Sequence, residues 1–172
     1  MMKQARIIGL LIIGLTLTAC GFHLKGHTNA QPLSGMIIDV IAENRFGPLE
    51  RLLRARLERS GAVIKADESA RFQLHIDEQQ LKRRALLRTE TGRVGEYELT
   101  LMIKARIFKV PLTDPVNLNL SASREYVYDS TQLLASNEQE QSLIRDMRQD
   151  LSEQIIRQLT HAKSLQELSV AH

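Results

Sequence analysis

The chain has 172 residues, of which 43% are hydrophobic and 25% are charged, with one cysteine, four prolines and no tryptophan. This composition is sufficient for one folded domain, and it excludes a disordered chain, a collagen-like repeat, a disulfide scaffold and a protein with several membrane-spanning helices. The net charge is +3, or +1 if Lys3 and Arg6 are removed with a leader, so the overall charge gives no reason to expect nucleic acid as a partner.

Residues 1–19 have the order of a bacterial export signal. Lys3 and Arg6 precede the apolar run 7–17 (IIGLLIIGLTL), which is too short to span ~30 Å of hydrocarbon as a helix at 1.5 Å per residue. Residues 17–20 (LTAC) resemble the bacterial lipobox, in which the cysteine becomes the first mature residue. The sequence therefore predicts a lipoprotein signal peptide over 1–19. The alternatives are an ordinary signal peptide with a chance cysteine and a bare anchor helix.

Cys20 is the only cysteine, so an exported chain has no internal disulfide and its single thiol needs another role. Lipidation supplies that role: a diacylglyceryl group on the sulfur and an acyl chain on the amine anchor a protein durably, at about 0.8 kcal/mol per buried CH₂. Gly21 follows, where lipoproteins kept in the inner membrane often carry Asp. The lipobox resemblance therefore implies the outer membrane, with a lipidated lead over 20–35.

The first half of the mature chain predicts a strand, a helix and a short edge strand. Residues 36–42 (MIIDVIA) have the composition of a buried strand. Pro48 favours the first turn of a helix, and Gly61 favours its end. We expect Glu50 and Arg54 to form an exposed i,i+4 pair on this helix. Residues 62–65 favour the edge strand. The apolar positions recur at helical spacing: Leu49, Leu52, Leu53 and Leu57.

Three later segments, 71–87, 97–107 and 116–128, alternate apolar and polar residues with period two. One polar face per strand predicts an antiparallel sheet that is covered on one side only. The residues expected to face inward from the middle segment are Tyr97, Leu99, Leu101, Ile103, Ala105 and Ile107.

The last helix is predicted over 138–159, with an apolar stripe from Leu143 to Leu159 and a cap at Ser136 or Asn137. The fold class is therefore α+β, in the order β-α-β-β-β-α, with two helices packed on one face of a mostly antiparallel four-stranded sheet. We expect a single domain over 36–162 and a flexible tail over 163–172.

The sequence shows no catalytic site. It lacks the G-x-S-x-G, H-E-x-x-H and P-loop motifs, and its histidines are scattered. His23 and His27 are the nearest to a metal-binding spacing, but the glycines around them disfavour a helix. His75 falls on the polar face of its strand. We therefore expect a binding protein rather than an enzyme, with no metal and no cofactor.

The main concentration of charge is a basic hairpin, which we define as Lys82, Arg83, Arg84, Arg88 and Arg93. Glu90 is the one acidic residue within this segment, and leucines are interleaved with the cations. Arginine binds phosphate as a planar fork, so one interpretation is contact with the phosphates of lipid A while the leucines meet acyl chains. The other is a solvated strand face that protects a sheet edge.

Residues 17–26 (LTACGFHLKG) resemble the mature start of the LptE (RlpB) family of lipopolysaccharide-assembly lipoproteins, which shows Cys-Gly-aromatic-His-Leu-basic at that place. The helix that starts at Pro48, the strand opening at residues 95–97 (GEY) and the helix over 144–159 are similar to that family in pattern and order. The resemblance implies two helices on a mostly antiparallel four-stranded sheet.

It also implies a lipid-anchored protein on the periplasmic side of the outer membrane. Such proteins form a heterodimer with the β-barrel LptD, plug the barrel, assist its assembly and bind lipopolysaccharide. The polar sheet face would then meet the polar barrel wall, through Glu96, Glu98, Lys104, Arg106, Asn117, Asn119 and Ser121. The sequence departs from the family in a predicted loop over 133–137 that lacks Lys and Arg. The alternatives are a subunit of another barrel machine, a periplasmic lipid carrier or a periplasmic enzyme.

Overall fold

The computed structural model describes residues 31–88, 94–111 and 114–170; for Val94 and residues 166–170 it describes the backbone only. The chain divides into two units after Ala30, and the elements described lie in the second. The helices are α1 (Pro48–Arg59) and α2 (Leu133–Val170). The strands are β1 (Ile37–Ala42), β2 (Val63–Ile64), β3 (Phe72–Arg88), β4 (Val94–Lys109) and β5 (Val116–Val127).

The predicted α+β class is confirmed, and the sheet differs from the prediction in two details. The described strands form one five-stranded sheet in the order β2-β1-β3-β4-β5, because the short edge strand β2 joins the four longer ones. The sheet is mixed rather than mostly antiparallel: β1 runs parallel to both β2 and β3, while the β3–β4 and β4–β5 pairs are antiparallel. Helix α1 accounts for the parallel β1–β2 pair, since a helix between two strands returns the chain to the end at which the first strand began.

Helix α1 begins and ends where the sequence predicts. Pro48 occupies the first turn, where its missing N–H costs nothing. Beyond the last turn Gly61 has φ +91°, a conformation that favours glycine. The Gly61 N–H donates to Glu58 O at 2.9 Å and the Ala62 N–H donates to Leu57 O at 3.0 Å, which is the Schellman arrangement. The side chains buried beneath this helix are Leu49, Leu53 and Leu57.

The predicted Glu50–Arg54 pair is wrong. Glu50 is only 1% exposed, and its Oε1 accepts a hydrogen bond from the side-chain amide of Gln79 on β3. Arg54 turns instead to β1, where its guanidinium donates to Val40 O at 2.6 Å. Helical periodicity places Glu50 among charged residues, but the approach of β3 to the first turn of α1 buries its carboxylate.

Helix α2 lays one apolar stripe across the sheet and is longer than predicted at both ends. It begins at Leu133, so residues 133–137 are helical rather than a loop. The predicted cap at Ser136 or Asn137 is wrong, because both residues lie inside the helix. The Ser136 hydroxyl donates to Asp129 O at 3.3 Å and accepts from Asp129 N at 3.1 Å, which ties it to the preceding turn. The helix continues past Leu159 to Val170, and flexibility of residues 163–172 stays a prediction. The buried stripe consists of Ile144, Met147, Leu151, Ile155 and Leu159.

Candidate functional site

The basic hairpin is divided between two faces of the sheet. A bulge between Ile76 and Glu78 shifts the register of β3, so Arg83 pairs with buried Leu99 and faces the helices. Side chains alternate along a strand, and Lys82 and Arg84 therefore lie on the uncovered face. The structure does not bring these three cations together. Their alternation was visible in the sequence, but the bulge that sets its phase was not.

Arg83 belongs to a network that holds the hairpin against α2. Its guanidinium donates to Glu140 Oε2 at 3.0 Å and lies 4.3 Å from the centre of the Tyr97 ring. The buried hydroxyl of Tyr126 donates to the same Glu140 oxygen. The hydrogen bond that Arg83 donates to Glu140 raises the pKa of Arg83, while burial, followed by the bond to Glu140, raises the pKa of Tyr126 to about 12. Arg83 therefore has a structural role, because it joins β3 to α2 and to the Tyr97 ring.

The other hairpin cations differ in their surroundings. Arg84 donates from Nε at 3.1 Å and from Nη2 at 2.9 Å to Glu98 Oε2 on β4. Lys82 is exposed opposite Thr100, and Arg88 is exposed at the last pair of the hairpin. Arg93 lies outside the described residues, as do Glu90 and the predicted lipidation site Cys20.

Apolar side chains are exposed at the same end of the sheet. Leu87, Glu96 and Val127 form one row across β3, β4 and β5, and α2 begins shortly after that row. We call this surface the hairpin end. Sequence reasoning found its leucines on β3 but missed the rest, because the end of β5 and the start of α2 meet them only in the fold. Its exposed apolar residues are Leu86, Leu87, Val127, Leu133 and Leu134, with exposures from 38% to 74%.

The sheet face away from the helices, which we call the open face, is polar, and several of its side chains pair across strands. Arg106 donates to both carboxylate oxygens of Asp77, at 2.7 and 2.9 Å, and Lys104 pairs with Glu78 at 2.7 Å. The hydrogen bonds from Arg106 lower the pKa of Asp77. The hydroxyls of Thr100 and Ser123 lie 3.0 Å apart. Described members of the predicted interface that lie on this face include Glu98, Lys104, Arg106, Asn117, Asn119 and Ser121.

Two concavities lie near the N-terminus of α1. An acidic one of about 380 Å³ is lined by four carboxylate residues and by Asn44, Ile76 and Gln79; the four are Glu43, Glu50, Asp77 and Glu78. Among the residues that the structure describes, no group of three or more His, Cys, Asp or Glu side chains has a metal-binding arrangement. The second, about 240 Å³, lies between α1 and α2 and carries arginines that the sequence did not single out, because they come from distant segments. Within the same described residues, no helix is long and apolar enough to cross a membrane.

The chain is similar to known lipoproteins both in sequence and in fold. A family model described as LptE, lipopolysaccharide-assembly, matches residues 37–159. The chain is similar to the LPS-assembly lipoprotein LptE of Pectobacterium atrosepticum, with 26% identity over 166 residues, or 92% of this chain and 88% of the relative. It matches a lipoprotein B of Nitrosomonas europaea with a TM-score of 0.67 and 26% identity, covering 84% of this chain and 93% of that one. The rare lipoprotein B of Shewanella oneidensis has the same fold, with a TM-score of 0.66 and 22% identity over 79% of this chain and 99% of that chain.

Proposed function

This chain belongs to the LptE lipopolysaccharide-assembly family, and from that premise we propose that it is the lipid-anchored subunit of a lipopolysaccharide translocon. Cys20 carries the lipid, and the domain lies on the periplasmic side of the outer membrane. It plugs an LptD-type β-barrel as a heterodimer, assists the assembly of that barrel, and binds lipopolysaccharide for delivery to the outer leaflet.

The polar character of the open face is the observation that supports the proposed plug. Among the described residues no helix covers this side of the sheet, and several of its charges are paired within the sheet, as Arg106 with Asp77 and Lys104 with Glu78. A polar, internally paired surface suits the polar lumen of a barrel and is poorly suited to acyl chains. A separate observation disfavours a lipid carrier, which needs a deep apolar cavity: charged side chains line the concavities near α1.

The hairpin end supports the lipopolysaccharide contact. It combines exposed leucines with the cations Lys82, Arg84 and Arg88, and the predicted contact residue Arg93 belongs to the same hairpin by sequence. Phosphate and acyl chains require this combination of cationic and apolar groups. Arg83 contributes by fixing the hairpin on Glu140, and a lipid phosphate would have to compete with that carboxylate.

A photo-crosslinking purification tests the plug. A photoreactive residue placed at Ser121, exposed on the open face, should join the chain to one large β-barrel protein in outer membranes, and a tagged wild-type chain should co-purify with that protein near one-to-one. The matched control is the same residue placed at Arg157, an exposed position on α2. Recovery of the chain alone, or equal crosslinking of many proteins from both positions, would overturn the plug.

Charge reversal tests the lipopolysaccharide contact. Lys82→Glu combined with Arg88→Glu should weaken binding of purified lipopolysaccharide by about tenfold or more, since each charge-assisted bond is worth about 1.5–3 kcal/mol. The control is Lys65→Glu with Arg71→Glu, which changes the net charge equally at the opposite end of β3. If both double variants keep the fold and bind lipopolysaccharide equally, the hairpin does not contact the lipid.

A further inference from the structure

The two helices form a cleft whose walls come from the first turns of α1 and the middle of α2. Arg145, Arg148 and Gln149 lie three and four residues apart, so they share one face of α2. Farther along both helices, Arg56 Nη1 lies 2.7 Å from Glu153 Oε1 and holds the walls together. The cleft has a volume of about 240 Å³ and is lined by Pro48, Arg51, Leu52, Arg145, Arg148 and Gln149.

The cleft arginines, which we define as Arg51, Arg145 and Arg148, lack carboxylate partners. Within the part of the chain that the structure describes, none of the three guanidinium groups makes a hydrogen bond or an ion pair. Burial lowers the pKa of Arg148, and the carboxylate that acts against this shift is Glu50. Glu50 is itself buried, one of its oxygens is bonded to Gln79, and the other has no donor. Three cations therefore converge with one buried acid near them.

Two further features favour an anion in this cleft. Pro48 marks the N-terminus of α1, where the aligned peptide dipoles place partial positive charge. Leu52 and the Pro48 ring supply an apolar wall beside the cations. The volume is several times the ~30 Å³ that one water molecule occupies in the liquid, which leaves room for a phosphate and part of the group that carries it.

We propose that this cleft binds a phosphate group, with the planar forks of the cleft arginines as its donors. The shared chemistry is an anionic terminal phosphate group, whether it is esterified to a lipid headgroup or is free inorganic phosphate. The lipid source rests on the proposed function; the phosphate chemistry does not. The site is separate from the hairpin end, because it lies on the outer side of the helix layer between α1 and α2.

The test compares three ligands with one triple variant. The lipidated protein in neutral detergent is titrated with inorganic phosphate, with lipid A, and with lipid A from which the phosphates have been removed. The triple variant replaces each cleft arginine by glutamine. Arg157→Gln, an exposed arginine elsewhere on α2, is the matched control. A second triple variant with lysine at the three positions keeps the charge, and circular dichroism checks the fold of each protein.

We expect the glutamine variant to bind lipid A at least about tenfold more weakly than wild type, while the lysine variant loses only a few-fold. Arg157→Gln should bind lipid A as tightly as wild type does. Lipid A without phosphates should bind equally to wild type and to the glutamine variant. If wild type binds inorganic phosphate and the glutamine variant does not, while lipid A binding is the same in both, the phosphate chemistry stands and the lipid source is wrong.

Other outcomes overturn the inference. Equal binding of lipid A and of phosphate by wild type and the folded glutamine variant would show that the cleft takes no phosphate. Loss of β-barrel co-purification in the glutamine variant, with all phosphate binding intact, would assign the cleft to acidic side chains of a protein partner. If wild type neither binds lipid A nor recovers a barrel, the proposed function fails, and inorganic phosphate still tests the cleft separately.

Discussion

The basic hairpin and the cleft arginines make opposite use of the same residue type. The hairpin concentrates its cations in one segment, yet Arg83 and Arg84 are bonded to Glu140 and Glu98. The cleft takes Arg51 from α1 and its other two members from α2, and none of the three is bonded to an acid within the described residues. Density of charge along the chain is therefore a poor guide to charge that is available for a ligand.

Secondary structure causes the difference. Neighbouring residues on a strand point to opposite faces, so a basic run such as Lys82–Arg83–Arg84 is divided, and facing elements bring acids to Arg83 and Arg84. Helical spacing of three residues keeps Arg145 and Arg148 on one side, and α1 adds Arg51 from the facing helix. If this account is right, removing hairpin partners should cost stability, and removing cleft arginines should cost binding.

The largest effect should come from Glu140→Ala. The substitution leaves both Arg83 and the buried hydroxyl of Tyr126 without their acceptor. We expect the free energy of unfolding to fall by about 2–3 kcal/mol, with the contribution of Arg83 reduced because its side chain is partly solvated. Urea denaturation measures it. Glu138→Ala, an exposed change in the same helix, is the control, and equal losses in the two variants would contradict the network.

Alkaline pH should weaken the same network. The folded state holds the Tyr126 proton more tightly than the unfolded chain, because its pKa is raised from 10.0 to about 12. A raised pKa gives stability that is fully present below pH 10 and is lost as the pH rises towards 12. We expect a loss of up to about 2 kcal/mol over this interval. Urea denaturation across it should show a steeper fall for wild type than for Tyr126→Phe; parallel profiles would contradict the prediction.

The sequence was sufficient for the elements that repeat a simple period. Period two predicted the inward face of β4, and helical spacing predicted the buried leucines of α1, because burying these rows is the main favourable term in folding. Pro48 and Gly61 located the ends of α1 for reasons of backbone geometry. These features depend on local patterns alone.

The rest depended on contacts between distant segments. Burial of Glu50 requires the approach of Gln79 from β3, which no local pattern encodes. The division of the hairpin depends on one bulge after Ile76. The cleft joins residues of α1 to residues of α2 that are distant in the sequence, so its charge is not visible there, whereas the basic run at the hairpin is contiguous.

A smaller effect should separate two adjacent hairpin residues. Arg83→Gln removes the bond to Glu140 and the contact with the Tyr97 ring, and should lower the free energy of unfolding by about 1 kcal/mol. Lys82→Gln removes an exposed charge on the open face and should leave stability unchanged. Thermal denaturation of both variants measures the contrast. A loss in Lys82→Gln as large as that in Arg83→Gln would contradict the assignment of the two residues to different faces.

The smallest effect should come from the cleft, and it should have the opposite sign. Arg145 lies three residues before Arg148, so Arg145→Gln relieves a like-charge pair and should raise the free energy of unfolding by about 0.2–0.5 kcal/mol at low salt without phosphate. Added phosphate should reverse the order, because a ligand that binds the folded state stabilises the protein that holds it more tightly. Thermal denaturation with and without phosphate measures both steps, and Arg83→Gln should stay below wild type in each. If phosphate raises the thermal stability of Arg145→Gln as much as that of wild type, Arg145 does not bind the anion. The hairpin and cleft arginines would then differ only in whether they form ion pairs, and not in whether they bind a ligand.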